Sequence, residues 1–282
     1  TGEDTLSLHD ALPILKSHFM SIKGHLVRTE RIVPDIEQLP RPVYARNESV
    51  ARDSQTVWHQ HDWIQISYAI RGMLTVYTES GSYVVPPMWA VWIPNGVRHQ
   101  VITSDRVEMR GLYIEASVAC FDNEAAGCHV FEVTPLLREL ICTFCALPVL
   151  YDIAGEQGRL VQVLLDQLRA AKTVEWSLPM PTDQRLKRLC DELQLHPDDQ
   201  RTLVVWGQLL GASEKTLSRL FLKQTGLSFR IWRQRLRLFS ALRRLESGEK
   251  VTSVALACGY DSTSSFIAAF RAQFGMTPGE VF

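Results

Sequence analysis

No stretch of this 282-residue sequence runs apolar for the roughly 20 positions that a helix needs to cross a bilayer, which excludes a helical membrane span. Its beginning lacks the basic opening and apolar run of a secretory leader, so a cytoplasmic protein is expected. Cysteines are few: Cys120, Cys128, Cys142, Cys145, Cys190 and Cys258. They form no even framework of the kind that staples small secreted domains. Cys142 and Cys145 make a C-x-x-C, but inside an apolar, helix-like stretch from Leu136 to Leu147. A zinc or redox pair would need Cys120, Cys128 or His129 as neighbours, and reduced core thiols are the plainer reading. The composition also lacks the marks of disorder, with 46% hydrophobic and 22% charged residues, and the length suits two ordinary domains.

Net charge is nearly absent at −1, but it is unevenly spread. From Met180 to Phe282 there are 15 Lys and Arg against 10 Asp and Glu, a surplus of five, which leaves −6 for the remainder. A basic C-terminal part on an acidic body points to a polyanion as partner of that part alone. The stretch Thr5 to Ile14 resembles an in-frame translation of a sequencing-library adapter. Residues 1–19, His9 included, are therefore set aside, and the chain is read from Met20.

Between Val57 and Tyr113 the pattern has period two. Ile64, Ile66, Tyr68 and Ile70 alternate with Gln65, Ser67 and Ala69, and turns follow at Arg71-Gly72, Ser80-Gly81, Pro86-Pro87 and Asn95-Gly96. Short strands at such spacing predict an antiparallel barrel or sandwich. After Thr134 the period becomes helical, with faces at Leu136, Leu137, Leu140, Ile141 and Phe144, and at Leu160, Val161, Leu164, Leu165 and Leu168. These helices can cover the barrel or pair with a second copy. Lys172 to Thr182, with Pro179 and Pro181, breaks both periods and is expected to be a linker.

From Asp183 onward only short helices remain. Leu203 to Leu210, the Gly211-Ala212 turn and a helix capped by Ser213 form one helix-turn-helix candidate. There Leu217, Leu220 and Phe221 face a core, and Lys215, Ser218 and Arg219 present an edge suited to a major groove. Val254 to Cys258, a turn at Gly259-Tyr260, and a helix capped by Asp261 or Ser262 repeat the arrangement. Phe229, Trp232, Leu236, Phe239, Leu242 and Leu245 stripe a long helix between the two units. Such a rod can hold two reading helices about one DNA turn (~34 Å) apart.

These phrases resemble the AraC/XylS regulators. The matching residues are Thr216 to Phe221, Gly226 to Trp232, Ala255 to Ser262, Ser265 to Arg271 and Phe274 to Pro278, in family order over about the last hundred residues. The resemblance implies that both second helices enter adjacent major grooves of promoter DNA. Carried over by motif position, Lys215, Ser218 and Arg219 are the base-facing residues of the first unit, with Arg219 placed for a bidentate contact to guanine. Thr263, Ser264, Ile267 and Ala268 correspond in the second. Ala268 departs from members with a long polar side chain there, so shape and phosphate contacts carry more of that readout. Arg271, Arg233 and Arg237 are candidate phosphate contacts or solvated surface charges. Regulation of transcription, taken as activation, with RNA polymerase as a partner and a homodimer as the working unit, is also what the resemblance implies.

His59-Gln60-His61, Gln65 and Gly72, then Pro94-Asn95-Gly96 and His99, resemble the two cupin motifs. In metal-binding cupins three histidines and a glutamate converge on one divalent metal. Three imidazoles with open positions suit zinc, iron or nickel. Gln65 departs from the pattern by putting a neutral amide where the carboxylate belongs. Three readings follow: a metal site of His59, His61, Gln65 and His99; an organic-ligand pocket without metal; or structural histidines. Trp58, Trp63, Tyr68 and Trp92 are candidate pocket walls or simply aromatic core.

The expected architecture is multidomain α+β: a cupin-like β-barrel with flanking helices over 20–171, a linker over 172–182, and an all-α double helix-turn-helix domain over 183–282. The expected function is a sequence-specific DNA-binding regulator, not an enzyme, whose barrel senses a small molecule or metal. The alternatives are a constitutive regulator with a vestigial barrel used for dimerisation, and a metal-dependent cupin enzyme.

Overall fold

The computed structural model describes residues 28–33, 36–103, 105–118 and 127–281. The expectations for residues 1–19, Met20 and Cys120 lie outside the described residues. Two six-stranded sheets pack face to face. The first runs β1 (Thr29–Arg31), β3 (Ser54–Thr56), β8 (His99–Thr103), β5 (Leu74–Thr78), β6 (Gly81–Val85) and β12 (Ser177–Pro179). The second runs β11 (Thr173–Val174), β10 (His129–Glu132), β7 (Trp89–Ile93), β4 (Ile64–Arg71), β9 (Val107–Ile114) and β2 (Val43–Val50). Only β1 and β3 pair in parallel. The turn from β4 to β5 needs glycine: Gly72 has φ of 78°, and a Cβ there would lie 2.7 Å from the Arg106 carbonyl oxygen.

The sheet begins earlier than the alternation from Val57 suggested. β2 (VYARNESV) reads poorly as a strand because Tyr44, Arg46 and Glu48 point toward a polar barrel mouth. The stretch around His59 and His61 is in turn not a strand; His59 makes an isolated bridge to His99.

Helices α1 (Pro135–Cys145) and α2 (Glu156–Arg169) lie on the outside of the second sheet. Their Leu137, Ile141, Phe144, Val161, Leu164, Leu165 and Leu168 bury against Ile64, Ile66, Tyr68, Ala90, Trp92 and Leu112. Of the two fates expected for these helices, covering the barrel is the one observed. Cys142 and Cys145 sit on α1 as free thiols, with Cys145 buried among its apolar residues.

The expected linker over 172–182 is largely absorbed into the fold. β11 extends the second sheet and β12 extends the first, so one segment closes an edge of each. Pro179 is tolerated because β12 is an edge strand, where a missing N–H breaks no ladder. Opposite it stands Gly81, where a Cβ would meet the Leu178 carbonyl oxygen at 2.6 Å.

Beyond it come α3 (Gln184–Leu195), α4 (Leu203–Leu210), α5 (Glu214–Thr225), α6 (Phe229–Glu246), α7 (Val251–Ala257) and α8 (Thr263–Phe274). Asp183, Thr202, Ser213, Ser228 and Ser262 each accept an N-terminal amide of the helix that follows. Glycines 211, 226 and 275 close α4, α5 and α8 in the left-handed conformation. Each unit is cored by aromatics. Trp232 packs edge-on to Phe221 at 5.6 Å, and Phe266, Phe270 and Phe274 stack in sequence along α8. Burying each such side chain contributes about 2–3 kcal/mol.

Arg237, in the middle of α6, fastens the second unit to the first. Its Nε donates to the Pro197 carbonyl at 2.9 Å, and its two terminal nitrogens donate to Gly259 and Asp199 carbonyls at 3.0 Å each. Three charge-assisted hydrogen bonds from one planar fork cannot be reproduced by an ammonium. Arg237→Ala is therefore expected to destabilise the full chain by about 2 kcal/mol or more in chemical denaturation, with Arg237→Lys recovering little. The exposed Arg230→Ala should change stability by less than about 0.5 kcal/mol.

Candidate functional site

The inner face of the second sheet changes character from one side to the other. On the β7 side Val91 and Ile93, level with Ser67 and Gln65, are buried in one apolar cluster with Val107, Met109, Leu74, Val76 and Val101. Toward β9 and β2 the same rungs carry Tyr113 and Arg46, which with Gln65 border a cavity of about 290 Å³. His59, His61, Trp63, Gln65, Tyr113 and Arg46 line it, with Val33, Ile36 and Val57 as its apolar rim.

His59, His61 and His99 each offer one ring nitrogen within 4.8 Å of the others'. Their ring centres are 4.2 Å (His59–His99), 5.2 Å (His61–His99) and 6.0 Å (His59–His61) apart. Each Nδ1 faces a backbone carbonyl: Val57 for His59 at 2.9 Å, Trp63 for His61 at 2.8 Å and Val97 for His99 at 2.9 Å. A carbonyl can only accept, so each Nδ1 carries the hydrogen and each Nε2 keeps a bare lone pair. Metal-binding histidines are oriented by second hydrogen bonds of this kind. His99 is fully buried and its Nε2 has no hydrogen-bond partner. Burial is the main reason that its pKa falls to about 3, and it lowers those of His59 and His61 as well. Burial thus favours the neutral ring, the form that ligation requires. The residues fit a divalent metal.

Gln65 does not complete the set as an anion. Its Oε1 lies 2.8 Å from His61 Nε2, and its amide nitrogen donates to Ser67 Oγ at 2.8 Å. A ring facing two oxygens must be a cation, which burial disfavours. The neutral ring needs the amide turned end for end, a swap that keeps both partners. Gln65 then occupies the His61 lone pair when no metal is bound.

Two of the expected pocket walls lie elsewhere. Tyr68 and Trp92 point to the outer face of the second sheet, where Tyr68 meets Arg138 of α1 and Trp92 stacks on His129 at 5.9 Å. Alternation placed them with the apolar residues, and here those residues face the helices. Trp58 stays on the rim, 40% exposed, with the Arg98 guanidinium 5.6 Å above its ring. Trp63 does line the cavity, stacked on His61 at 5.1 Å. Arg46 and Tyr113 went unrecognised; the only signal for them was period-two register with Gln65, since Gln65 pairs with Tyr113 and Tyr44 pairs with Tyr113 from the other side.

On the helical domain, Lys215, Ser218 and Arg219 are exposed along α5, next to Leu222. Ser264, Ala268 and Arg271 are exposed on α8, and Thr263 and Ile267 are half-buried, Ile267 leaning on the core. Two of the candidate phosphate contacts are committed to other work. Arg237 holds three carbonyls, as above, and Arg233 donates to the Arg201 carbonyl at 2.9 Å while its guanidinium lies over Phe229.

A barrel with a ligand-sized mouth, joined to two capped helix pairs with polar outer edges, matches known proteins along nearly its whole length. The family described as AraC-like ligand binding domain matches residues 43–203, and that described as Helix-turn-helix domain matches 206–282. The chain belongs to the AraC family of transcriptional regulators. It is 36% identical over 221 residues to the HTH-type transcriptional regulator NimR of Escherichia coli K12, covering 78% of this chain and 80% of that one. RipA of Corynebacterium glutamicum is 36% identical over 100 residues, 36% of this chain and 30% of its own length. Among solved structures, ToxT from Vibrio cholerae aligns loosely, at a TM-score of 0.36 and 10% identity over 85% of this chain and 97% of that one. As an AraC-family regulator, the chain pairs a ligand-binding N-terminal domain with a DNA-binding helix-turn-helix domain. Among the described residues no helix is long and apolar enough to cross a membrane.

The missing carboxylate gives a direct test of the three-histidine geometry. Gln65→Glu is expected to tighten zinc binding by about tenfold or more, because an anionic oxygen replaces an amide that competes for His61. Titration of the metal-free protein against a zinc indicator checks this, and His99→Ala should weaken binding in both backgrounds.

Proposed function

We propose that this regulator senses its effector at the mouth of the barrel and transmits the occupancy of that site to promoter DNA read by α5 and α8. The observation that carries this is the cluster of His59, His61 and His99, whose ring nitrogens lie within 4.8 Å of one another beside the cavity. There His59, His61 and His99 would hold zinc, iron or nickel, with Gln65 beside them. The metal would supply a Lewis-acidic anchor for a ligand; His59, His61 and His99 would orient it through their carbonyl-bound Nδ1 atoms. The chain acts through DNA rather than by turnover, as its relatives are transcriptional regulators. It is placed in the cytoplasm with RNA polymerase as a partner. A homodimer is favoured by Leu136 and Val163, large apolar residues left exposed on α1 and α2.

The route from site to DNA is the segment over 172–182, proposed as the boundary between domains 20–171 and 183–282. Trp176 packs on Trp89 of the barrel at 4.4 Å and edge-on to Phe274 of α8 at 4.8 Å. Trp232 Nε1 donates to the Pro179 carbonyl at 2.7 Å, and Gln224 of α5 accepts the Thr182 and Asp183 amides at 3.0 Å each. One segment therefore touches both sheets and both units. An effector that prefers one arrangement of it shifts the population of DNA-competent protein by its differential affinity.

Base contacts are assigned to Lys215, Ser218 and Arg219 on α5 and to Thr263, Ser264, Ile267 and Ala268 on α8, with Arg271 on phosphate. Selection of bound duplexes from a random pool, with and without zinc, tests the reading. A sequence preference that responds to the metal or to an added effector is expected, and binding that is identical under all additions would overturn the sensing half. In the same assay Arg219→Ala should relax preference at one base position, costing about 1–3 kcal/mol; a uniform loss over all sequences would make it a phosphate contact. Trp176→Ala should still bind the selected duplex but lose at least half of the change that effector or metal produces, measured by fluorescence anisotropy.

A further inference from the structure

The charges around the barrel-mouth cavity do not balance. β2 sends Arg46 and Glu48 to the inner face, and β1 adds Arg31 behind them. Glu48 accepts from Arg31 Nη1 at 3.1 Å and lies 3.4 Å from Arg46 Nη1. Two guanidiniums thus share one carboxylate, and Glu48 is the only acidic partner of either among the described residues. The shortage shows on Arg31: its Nε and Nη2, the edge that takes a carboxylate by two parallel hydrogen bonds, are buried without a partner. Burial pushes its pKa down, the direction expected of a cation with too little compensation.

Arg46, unlike Arg31, lines the open cavity, where it is hydrogen-bonded to the Tyr113 hydroxyl. Burial lifts Tyr113 to about 12, so that group stays a neutral hydroxyl and supplies no negative charge. The histidines supply no negative charge in either protonation state, and a metal among them would add positive charge. The rest of the wall is uncharged: the Gln60 and Gln65 amides, Trp63 stacked on His61, and the rim of Val33, Ile36 and Val57. About 290 Å³ is room for a small molecule only.

We propose that the ligand of this cavity is a small carboxylic acid with an apolar or aromatic body, its carboxylate on Arg46 and its body between Trp63 and the side chains of Val33 and Ile36. With that carboxylate in place Arg46 has its own counter-ion and Glu48 is left to Arg31, so each guanidinium is paired. The proposal rests on the reading of the cavity as the effector site and specifies what class of compound enters it.

Thermal unfolding of the full chain, metal-free and zinc-loaded, is measured with millimolar benzoate, cyclohexanecarboxylate and acetate. The neutral benzamide serves as the control, with chloride matching ionic strength throughout. Benzoate or cyclohexanecarboxylate should raise the melting temperature in a saturable way, since a ligand of the native state stabilises it by mass action; benzamide should not. Arg46→Gln should weaken the apparent affinity at least tenfold, Arg46→Lys should keep part of it, and Arg98→Gln on the rim should leave it unchanged. Equal stabilisation by benzamide, an undiminished shift in Arg46→Gln, or no saturable shift with any of the three acids would overturn the proposal. Should Arg46→Gln fail to fold, the comparison of acid with amide on the unmodified chain decides. Duplex affinity under the same additions separates the two readings. Acids that bind without changing it support the anion site and remove the effector role, whereas a neutral compound that changes it keeps the effector role and removes the anion site.

Discussion

A sheet covered on both faces has no solvent side, and most of what this chain can do follows from that constraint on its second sheet. Helices α1 and α2 claim one face, so the large apolar residues of β4, β7 and β9 must point outward to meet them. What remains for the inner face is the other half of the alternation. On the β7 side that half is still apolar, with Val91 and Ile93 filling the interior. Toward β9 and β2 it is Gln65, Tyr113 and Arg46, whose polar ends border the cavity. The cavity exists because the strands spent their best packing residues on the helices. Buried polar groups at the mouth then need partners of their own, and the carbonyl bonds of the three histidines, the Gln65–Ser67 contact and the Glu48 pairing are how most are satisfied. His99 Nε2, Trp63 Nε1 and the outer edge of Arg31 are exceptions among the described residues.

The same constraint marks what the sequence could and could not tell. Element types were legible wherever one face is dry and the other wet: α5, α6 and α8 were readable from their stripes and their Ser213 and Ser262 caps, and the turns of the barrel from Gly72 and Gly96. The histidine set was legible because the fold brings both motifs to one place through the His59–His99 bridge. The orientation of β4 was not. Alternation says that Ile66 and Tyr68 share a face, but not whether that face is the lumen or the underside of a helix layer. Assigning Tyr68 and Trp92 to the lumen was the natural error, since a barrel alone would have put apolar residues inside. Arg46 was invisible for the complementary reason: in a strand reading VYARNESV, charges look like solvent exposure rather than the lining of a polar mouth.

Irregular segments were misjudged in a related way. The stretch over 172–182 carries two prolines and no period, which is how a free linker reads. Its order comes from long-range partners instead: Gly81 makes room for its backbone, Ser80 accepts the Met180 amide, and Arg235 holds the Ser177 carbonyl. None of these partners is near in sequence, so no local signal announces them. Arg233 and Arg237, read as phosphate contacts or solvated surface charges, are engaged with backbone carbonyls instead of standing free. A basic residue on a reading domain suggests a polyanion, but a guanidinium is also the one side chain able to satisfy several stray carbonyls at once. Arg237 spends its fork on the ends of two connections that no helix could otherwise close.

The division of labour between arginines bears on how this regulator can combine rigidity with response. Those inside the helical domain tie its parts together, so its two reading helices move as one body and cannot be re-spaced at small cost. At the seam Arg235 and Trp232 donate to the Ser177 and Pro179 carbonyls, and beside these bonds Trp176 packs between Trp89 and Phe274 through aromatic contacts alone. Such contacts are non-directional and can slide by an ångström without leaving a polar group unpaired, which the carbonyl clamp of Arg237 cannot do. A ligand at the mouth would act on β4 and β9, the strands that carry Gln65 and Tyr113, and β7 pairs with β4 from Ala90 to Ile93. Trp89 begins β7. A shift of that strand would reach Trp176 through Trp89, whereas a movement of the whole helical domain would also strain the Trp232 and Arg235 hydrogen bonds to the same segment.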